Sequence, residues 1–238
     1  RGFPNVTAVP MVDAGSGGDW AVASGPGDVP EGKHAWVRLP AHTVSNGNRY
    51  NPSYAILRSS YSGKLVDLHN GVWADGAYTG QRVRLIFLPT LNNHGSLDTQ
   101  DYAGPTSALK CHIGFIEGTS LHTVGYNSGD ADAVGEAVGH LITQVVSPVF
   151  YLTCAEWTGY GDRTSATATQ TKTVGLCAEP VTLDYWMCKY VMLPCRPSQT
   201  FMNPDNSNNL RKTLLGCHSL GVGTLDESEM SVHIAELG

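Results

Sequence analysis

The stretch Asp184-Tyr-Trp-Met-Cys-Lys-Tyr-Val-Met-Leu-Pro194 carries the strongest structural signal in the chain. It is rich in aromatic and apolar residues, which are enriched in β-strands. Pro194 stops the run, and proline cannot donate to the hydrogen-bond ladder of a sheet. Two other apolar runs, His34–Pro40 and Gln81–Pro89, end at a proline in the same way. We therefore interpret all three segments as strands of a β-rich protein.

Turn residues interrupt the rest of the chain at short intervals. Asn46-Gly47 and Asp75-Gly76 are typical of tight hairpin turns, because these residue types tolerate positive φ. Three polar stretches are long enough to be exposed loops: Leu91–Thr106, Gly159–Thr171 and Pro197–Asn209. This pattern predicts many short strands joined by turns and a few long loops. Ala108–Glu117 and Leu214–Val222 are among the predicted strands.

Asp130–Gln144 is the one segment with a convincing helical pattern. Val134, Val138 and Leu141 recur at helical spacing within it. Its two glycines each weaken a helix by about 1 kcal/mol relative to alanine, so we expect this helix to be short.

Together these elements predict an all-β protein, a Greek-key or jelly-roll β-sandwich of about eight to ten strands with long loops and one short helix. Residues 33–238 would form this single domain. Residues 1–32 are rich in glycine and proline and would form an extended N-terminal arm.

Composition narrows the function classes. Only 15% of the 238 residues are charged, and the net charge is -6. The basic residues are scattered, so the sequence carries no strong nucleic-acid signal. No apolar stretch reaches the roughly 18 residues that a membrane span requires. The low charge fits either a surface covered by partner subunits or a surface of Ser, Thr and Asn loops, and both remain open.

Catalytic and metal-binding patterns are weak. The six cysteines contain no C-x-x-C pair, which favours free, buried thiols. Asp132, Glu136 and His140 would share one helical face, but ordinary polar surface pairs have the same spacing. Gly216-Cys217-His218 is similar to a viral cysteine-protease turn without its second glycine. We predict no enzyme activity, no cofactor and no metal site.

The main alternative is a carbohydrate-binding or glycoside-hydrolysing β-sandwich. Trp73 and Trp157 border turn-rich segments and could stack on sugars, with Glu156 as a nearby carboxylate. Loss of glycan hydrolysis on Glu156→Gln would favour this alternative.

The run Tyr185-Trp-Met-Cys-Lys-Tyr-Val-Met-Leu-Pro-Cys-Arg196-Pro197 resembles the late, aromatic-rich strand of picorna-like and insect-virus capsid proteins. Gln81–Pro89 resembles a central strand of the same fold, and Asp130–Gln144 lies where a short helix joins its strands. The resemblance implies a jelly-roll capsid protein, shell or spike, of a non-enveloped icosahedral RNA virus.

On that resemblance the protein would be a viral structural protein of the virion that self-assembles into the capsid. Its partners would be copies of itself, other capsid subunits and a host receptor or glycan. The candidates for surface or receptor contact are Trp73, Asn92, His94, Trp157, Tyr160, Arg163, Asn203 and Asn206.

Overall fold

A computed structural model describes residues 5–9, 18–93, 104–105, 107–117, 124, 130–159 and 168–235. It contains two larger sheets and a small hairpin, together with helices that account for 30% of the structure against 28% strand. The prediction of an all-β jelly-roll sandwich is therefore wrong. The fold mixes sheets and helices.

The first sheet has six strands: β1 (Trp20–Ala23), β2 (His34–Arg38), β5 (Ser53–Arg58), β6 (Leu65–Asp67), β7 (Gly71–Ala74) and β8 (Ala77–Tyr78). They lie side by side in the order β1-β2-β5-β6-β7-β8. β1 pairs with β2 in parallel, and every other pair is antiparallel. Asp75 and Gly76 both have positive φ, which is the geometry of the tight turn that the sequence predicts between β7 and β8. The stretch proposed as an N-terminal arm includes β1.

A separate two-stranded hairpin consists of β3 (His42–Thr43) and β4 (Arg49–Tyr50). Gly47, with φ 85°, lies in the turn that joins them. The hairpin turn predicted at Asn46-Gly47 is confirmed.

The second sheet is centred on one long strand. Its strands are β9 (Ile86–Phe87), β10 (Thr90–Asn92), β11 (Phe150–Gly159) and β12 (Ala168–Cys177). β9 and β10 both pair in parallel with the same edge of β11, and β12 pairs antiparallel with the other edge. The short strands β9 and β10 are separated by Leu88 and Pro89, so that edge of the sheet is broken.

The α-helices are α1 (Ala131–His140), α2 (Pro180–Met187) and α3 (Asn209–His218). α1 continues into a π-helical segment, Leu141–Val145, and α2 continues through another, Cys188–Met192, into a last turn at Leu193–Cys195. 3₁₀ segments cover Pro26–Asp28, Leu109–Phe115, Thr200–Met202 and Glu227–Glu229. In the part of the chain described, no helix has the length and apolar character needed to cross a membrane.

The strand predicted at Asp184–Pro194 is the main error of the sequence interpretation. This segment is helical, and Pro180 occupies the first turn of α2, where its missing N–H is not needed. Residues of both parities are buried along it, so no alternation marks it as a strand. An apolar run longer than about eight residues fits a buried helix better than a strand.

Two other predicted strands are helical, and the predicted helix is confirmed. The segment predicted as a strand at Leu214–Val222 falls largely on α3, whose N-cap Asn208 accepts a hydrogen bond from the Arg211 backbone N–H at 2.8 Å. The predicted strand around Ala108–Glu117 is the 3₁₀ segment. α1 begins after Asp130, whose carboxylate accepts from the Ala133 N–H.

Two hydrophobic clusters form the interior. The first joins the six-stranded sheet to one side of α1, through Ala133, Val134 and Ala137. The second lies between the second sheet, α2 and α3, and it includes Val138 of α1. α1 therefore contributes to both clusters.

The axes of α1 and α3 approach closely enough to exclude side chains at the crossing. A Cβ placed on Gly135 would lie 2.1 Å from the Thr213 carbonyl oxygen, and one on Gly216 would lie 2.2 Å from the Asp132 carbonyl oxygen. Thr213 Oγ1 also donates to the Ala131 carbonyl at 3.3 Å. The glycine that weakens α1 as an isolated helix allows its contact with α3.

We expect Gly135→Ala and Gly216→Ala to destabilise the protein by about 2 kcal/mol or more, because the added methyl overlaps backbone atoms that cannot rotate away. Urea unfolding followed by circular dichroism measures this change. Gly114→Ala is the control, since a Cβ there meets nothing within 4 Å. A gain in stability for Gly135→Ala, as helix propensity alone would give, would contradict the close crossing.

Candidate functional site

The second sheet has one buried and one exposed face. Along β11, Tyr151, Thr153 and Ala155 are buried, whereas Cys154 and Glu156, which point to the opposite side, are exposed. Such alternation is expected when a sheet packs on one side only.

Helix α2 covers the inner face. A Cβ on Gly175 of β12 would lie 2.7 Å from Met187 Sδ and 2.9 Å from Leu183 Cδ1. On the same side, the Tyr151 hydroxyl lies 2.7 Å from His112 Nε2, and Phe87 packs edge-on against both rings. The glycine thus allows the helix to lie directly on the strand.

The outer face carries large apolar side chains that remain in solvent. Each is between 42% and 70% exposed: Ile86, Leu88, Trp157, Val174 and Leu176. Leu176 pairs across the strands with Leu152, and Val174 pairs with Cys154. These exposures correspond to on the order of 500 Å² of side-chain surface, near the upper end of the apolar patches found on monomers. We call this surface the outer face.

A β-bulge and two opposite charges border the apolar residues. The register between β11 and β12 shifts between Ala155 and Trp157, and Lys172 opposite this point has φ 47°. Glu156 and Lys172 are both exposed, and Glu156 Oε1 accepts from Gln170 Nε2 at 2.8 Å. The outer face therefore has an apolar centre with one acidic and one basic side chain at the bulged end.

Two of the predicted contact residues lie on this sheet. Trp157 is exposed on the outer face, and Asn92 is half-buried with its side chain against Gly159. Trp73 belongs to the first sheet, where its ring packs edge-on against Tyr78 at 5.0 Å between centroids. The two tryptophans considered for sugar stacking thus belong to different sheets.

Asn203 and Asn206 lie in the loop before α3 and hold its shape. Asn203 Oδ1 accepts from the Asp205 N–H at 3.0 Å, and Asn206 Nδ2 donates to the Thr200 carbonyl at 3.0 Å. The remaining candidates, His94, Tyr160 and Arg163, lie outside the described residues.

The face of α1 considered for metal binding instead contacts the β3–β4 hairpin and α3. Glu136 and His140 contact the β3–β4 hairpin, and Asp132 lies where α1 crosses α3. Among the residues that the structure describes, no three His, Cys, Asp or Glu side chains are grouped so as to hold a metal ion.

The cysteine and histidine next to each other in α3 do not form a nucleophile and base. Cys217 is buried, and burial raises the pKa of its thiol well above the usual value. The His218 ring instead uses Nδ1 to contact the Gly223 carbonyl at 2.7 Å.

A second set of titratable groups is enclosed by the second cluster. Burial raises the pKa of Asp184 to about 6, and its carboxylate accepts from the Ala108 and Leu109 N–H groups at 2.9 and 3.0 Å. Burial also lowers the pKa of His112 to about 3. Asp184 caps the 3₁₀ segment that carries His112, which is a structural role.

No protein-family model, curated protein or solved structure matches this chain. The geometry of the outer face is therefore the basis on which a function can be argued.

The sequence interpretation selected Trp157 but missed the apolar residues beside it. Val174 and Leu176 share a parity in the segment Thr173-Val-Gly-Leu-Cys177, which indicates that they lie on one face of a strand. Nothing in that pattern tells whether this face is buried. The covered face is the one that α2 occupies, and α2 was predicted as a strand.

We expect Cys154 to be the thiol that reacts first in dilute native protein, because it is exposed on the outer face. Cys188 and Cys217 are buried, with their pKa values raised, so they should resist alkylation until unfolding. Timed iodoacetamide labelling with peptide mass spectrometry measures the order. Equal labelling of Cys154 and Cys217 would contradict the burial of α3.

Proposed function

We propose that this protein is a structural protein that associates with further copies of itself through the outer face of its second sheet. The observation that carries the proposal is the set of exposed apolar side chains on paired strands of this sheet, above all Ile86, Val174 and Leu176. The largest exposed apolar patch on a protein surface is often a functional interaction site.

Two features favour a second copy as the partner. A standard interface buries about 800 Å² on each side, and the apolar centre alone supplies more than half of that area. A two-fold interface must also be complementary to itself. Glu156 and Lys172 satisfy this condition, because rotation about a two-fold axis can place the acidic group of one copy opposite the basic group of the other.

The capsid role goes further than this proposal. It was inferred from a jelly-roll resemblance, and the mixed fold removes that support, so virion assembly and receptor attachment stay predictions. Self-association is the part of the capsid hypothesis that the outer face supports independently. The carbohydrate alternative, with Trp73 or Trp157 stacking on a sugar beside Glu156, stays a prediction. Trp73 and Trp157 are on separate sheets, so Trp157 is the tryptophan that shares a strand with Glu156.

Lysines at the centre of the outer face should abolish association. We expect Val174→Lys/Leu176→Lys to shift the protein to monomer, because burying two ammonium groups in an apolar interface is unfavourable. Size-exclusion chromatography with light scattering over a range of concentrations measures the mass. Tyr61→Lys is the matched control, since Tyr61 is equally exposed (68%) but lies in the turn after β5. Wild-type protein that stays monomeric at every concentration would overturn the proposal.

Cys154 offers a second readout at the same surface. Its alkylation should slow at least tenfold from dilute to concentrated wild-type protein as a second copy covers it, whereas in Val174→Lys/Leu176→Lys the rate should not change. Association with unchanged Cys154 reactivity would place the interface elsewhere on the molecule.

A further inference from the structure

The β3–β4 hairpin is attached to α1 at three levels. Near the start of the helix, Asn46 Nδ2 donates to Asp130 Oδ2 at 2.6 Å. One to two turns on, the Ser45 backbone N–H donates to Glu136 Oε2 at 2.7 Å, and the Ser45 hydroxyl donates to Oε1 of the same carboxylate. The hairpin therefore lies along the helix and is held mainly by side chains of α1.

The third level is an aromatic group at the end of α1. The rings of His42 and His140 are stacked, with centroids 3.7 Å apart and planes inclined by 12°. The Tyr50 hydroxyl lies 2.6 Å from His140 Nδ1 and donates to the Ala137 carbonyl at 3.1 Å. Two imidazoles can stack at this distance when neutral, but two imidazolium ions repel each other.

The charged groups around this stack offer little compensation. On α1, the Glu136 carboxylate already accepts two hydrogen bonds from Ser45, and Asp130 is at the far end of the helix. On the hairpin, Arg49 is cationic and adjacent to Tyr50, and burial raises the pKa of Tyr50, which keeps it neutral. Beyond α1, the His69 ring contacts the Val145 carbonyl.

We propose that the β3–β4 hairpin is an acid-sensitive latch on α1, which opens when His140, stacked on the His42 ring, becomes protonated. The latch is independent of the outer face. Opening would remove Val44 and Tyr50 from the first hydrophobic cluster and uncover the side of α1 that contributes to it.

The direction of the pH effect follows from His140. Burial, and secondly the neighbouring His42, lower its pKa from 6.5 to about 4. The closed latch therefore binds the proton less well than the open one, so closure is fully favoured above about pH 6.5 and is lost as the pH falls towards about 4. For these two pKa values the opening equilibrium rises about 30-fold between about pH 7.5 and about pH 5.

Hydrogen exchange measured by mass spectrometry tests the latch directly. After correction for intrinsic exchange rates, the peptide covering residues 41–52 should lose about 30-fold in protection between about pH 7.5 and about pH 5. Peptides of β11 should lose much less. His140→Phe keeps an aromatic ring against His42 and removes the titrating group, so it should lose most of the pH dependence. His42→Phe removes only the secondary cause of the lowered pKa of His140, so its loss of hairpin protection with falling pH should be intermediate.

His233→Phe is the matched control, because His233 is exposed in the C-terminal segment, and it should behave as wild type. The latch would be overturned if hairpin protection depended on pH equally in wild type and in His140→Phe. It would also be overturned if hairpin protection in wild type did not change with pH. If His140→Phe does not fold, an NMR titration of wild-type His140 decides. A midpoint near 4 to 5 that coincides with loss of hairpin amide protection supports the latch, and a midpoint at or above 6.5 overturns it.

Discussion

The close contact between α1 and α3 is the constraint on which the rest of the fold depends. Gly135 of α1 lies against the backbone of α3, and Gly216 of α3 lies against the backbone of α1. Neither position has room for a side chain. α1 packs one side into the first cluster and Val138 into the second, while Leu214 and Cys217 of α3 lie within the second. α1 therefore links the two clusters, and its crossing with α3 fixes its position against the second.

The local pattern of the chain accounts for much of the first sheet and for α1. Strands such as Ser53–Arg58 are short, apolar and bounded by turn residues, and turns such as Asp75-Gly76 specify their own geometry. Asp130 and the helical spacing of Val134 and Val138 identify α1 in the same way. These are short-range signals, which a sequence records directly.

The elements that the sequence does not reveal are determined by contacts between residues far apart in the chain. Asp184–Pro194 has no readable period because the helix is enclosed by the second sheet and α3, so periodicity alone does not distinguish it from a strand and only its length favours a helix. The same error hid the outer face. Trp157 could be selected from the sequence because it is a bulky residue near a predicted loop. The exposure of Leu176 could not, because it depends on α2 covering the opposite side of the sheet.

The unequal edges of the second sheet limit how it could extend. On one side of β11, the short strands β9 and β10 are interrupted by Pro89, which leaves no continuous row of donors and acceptors. On the other side, the ten residues of β12 form a long edge, and among the described residues it pairs only with β11. A sheet with one long edge can be extended by one strand partner and then offers no second long edge. Pairing along β12 would therefore stop at two molecules, whereas a sheet with two such edges could polymerise into a fibre.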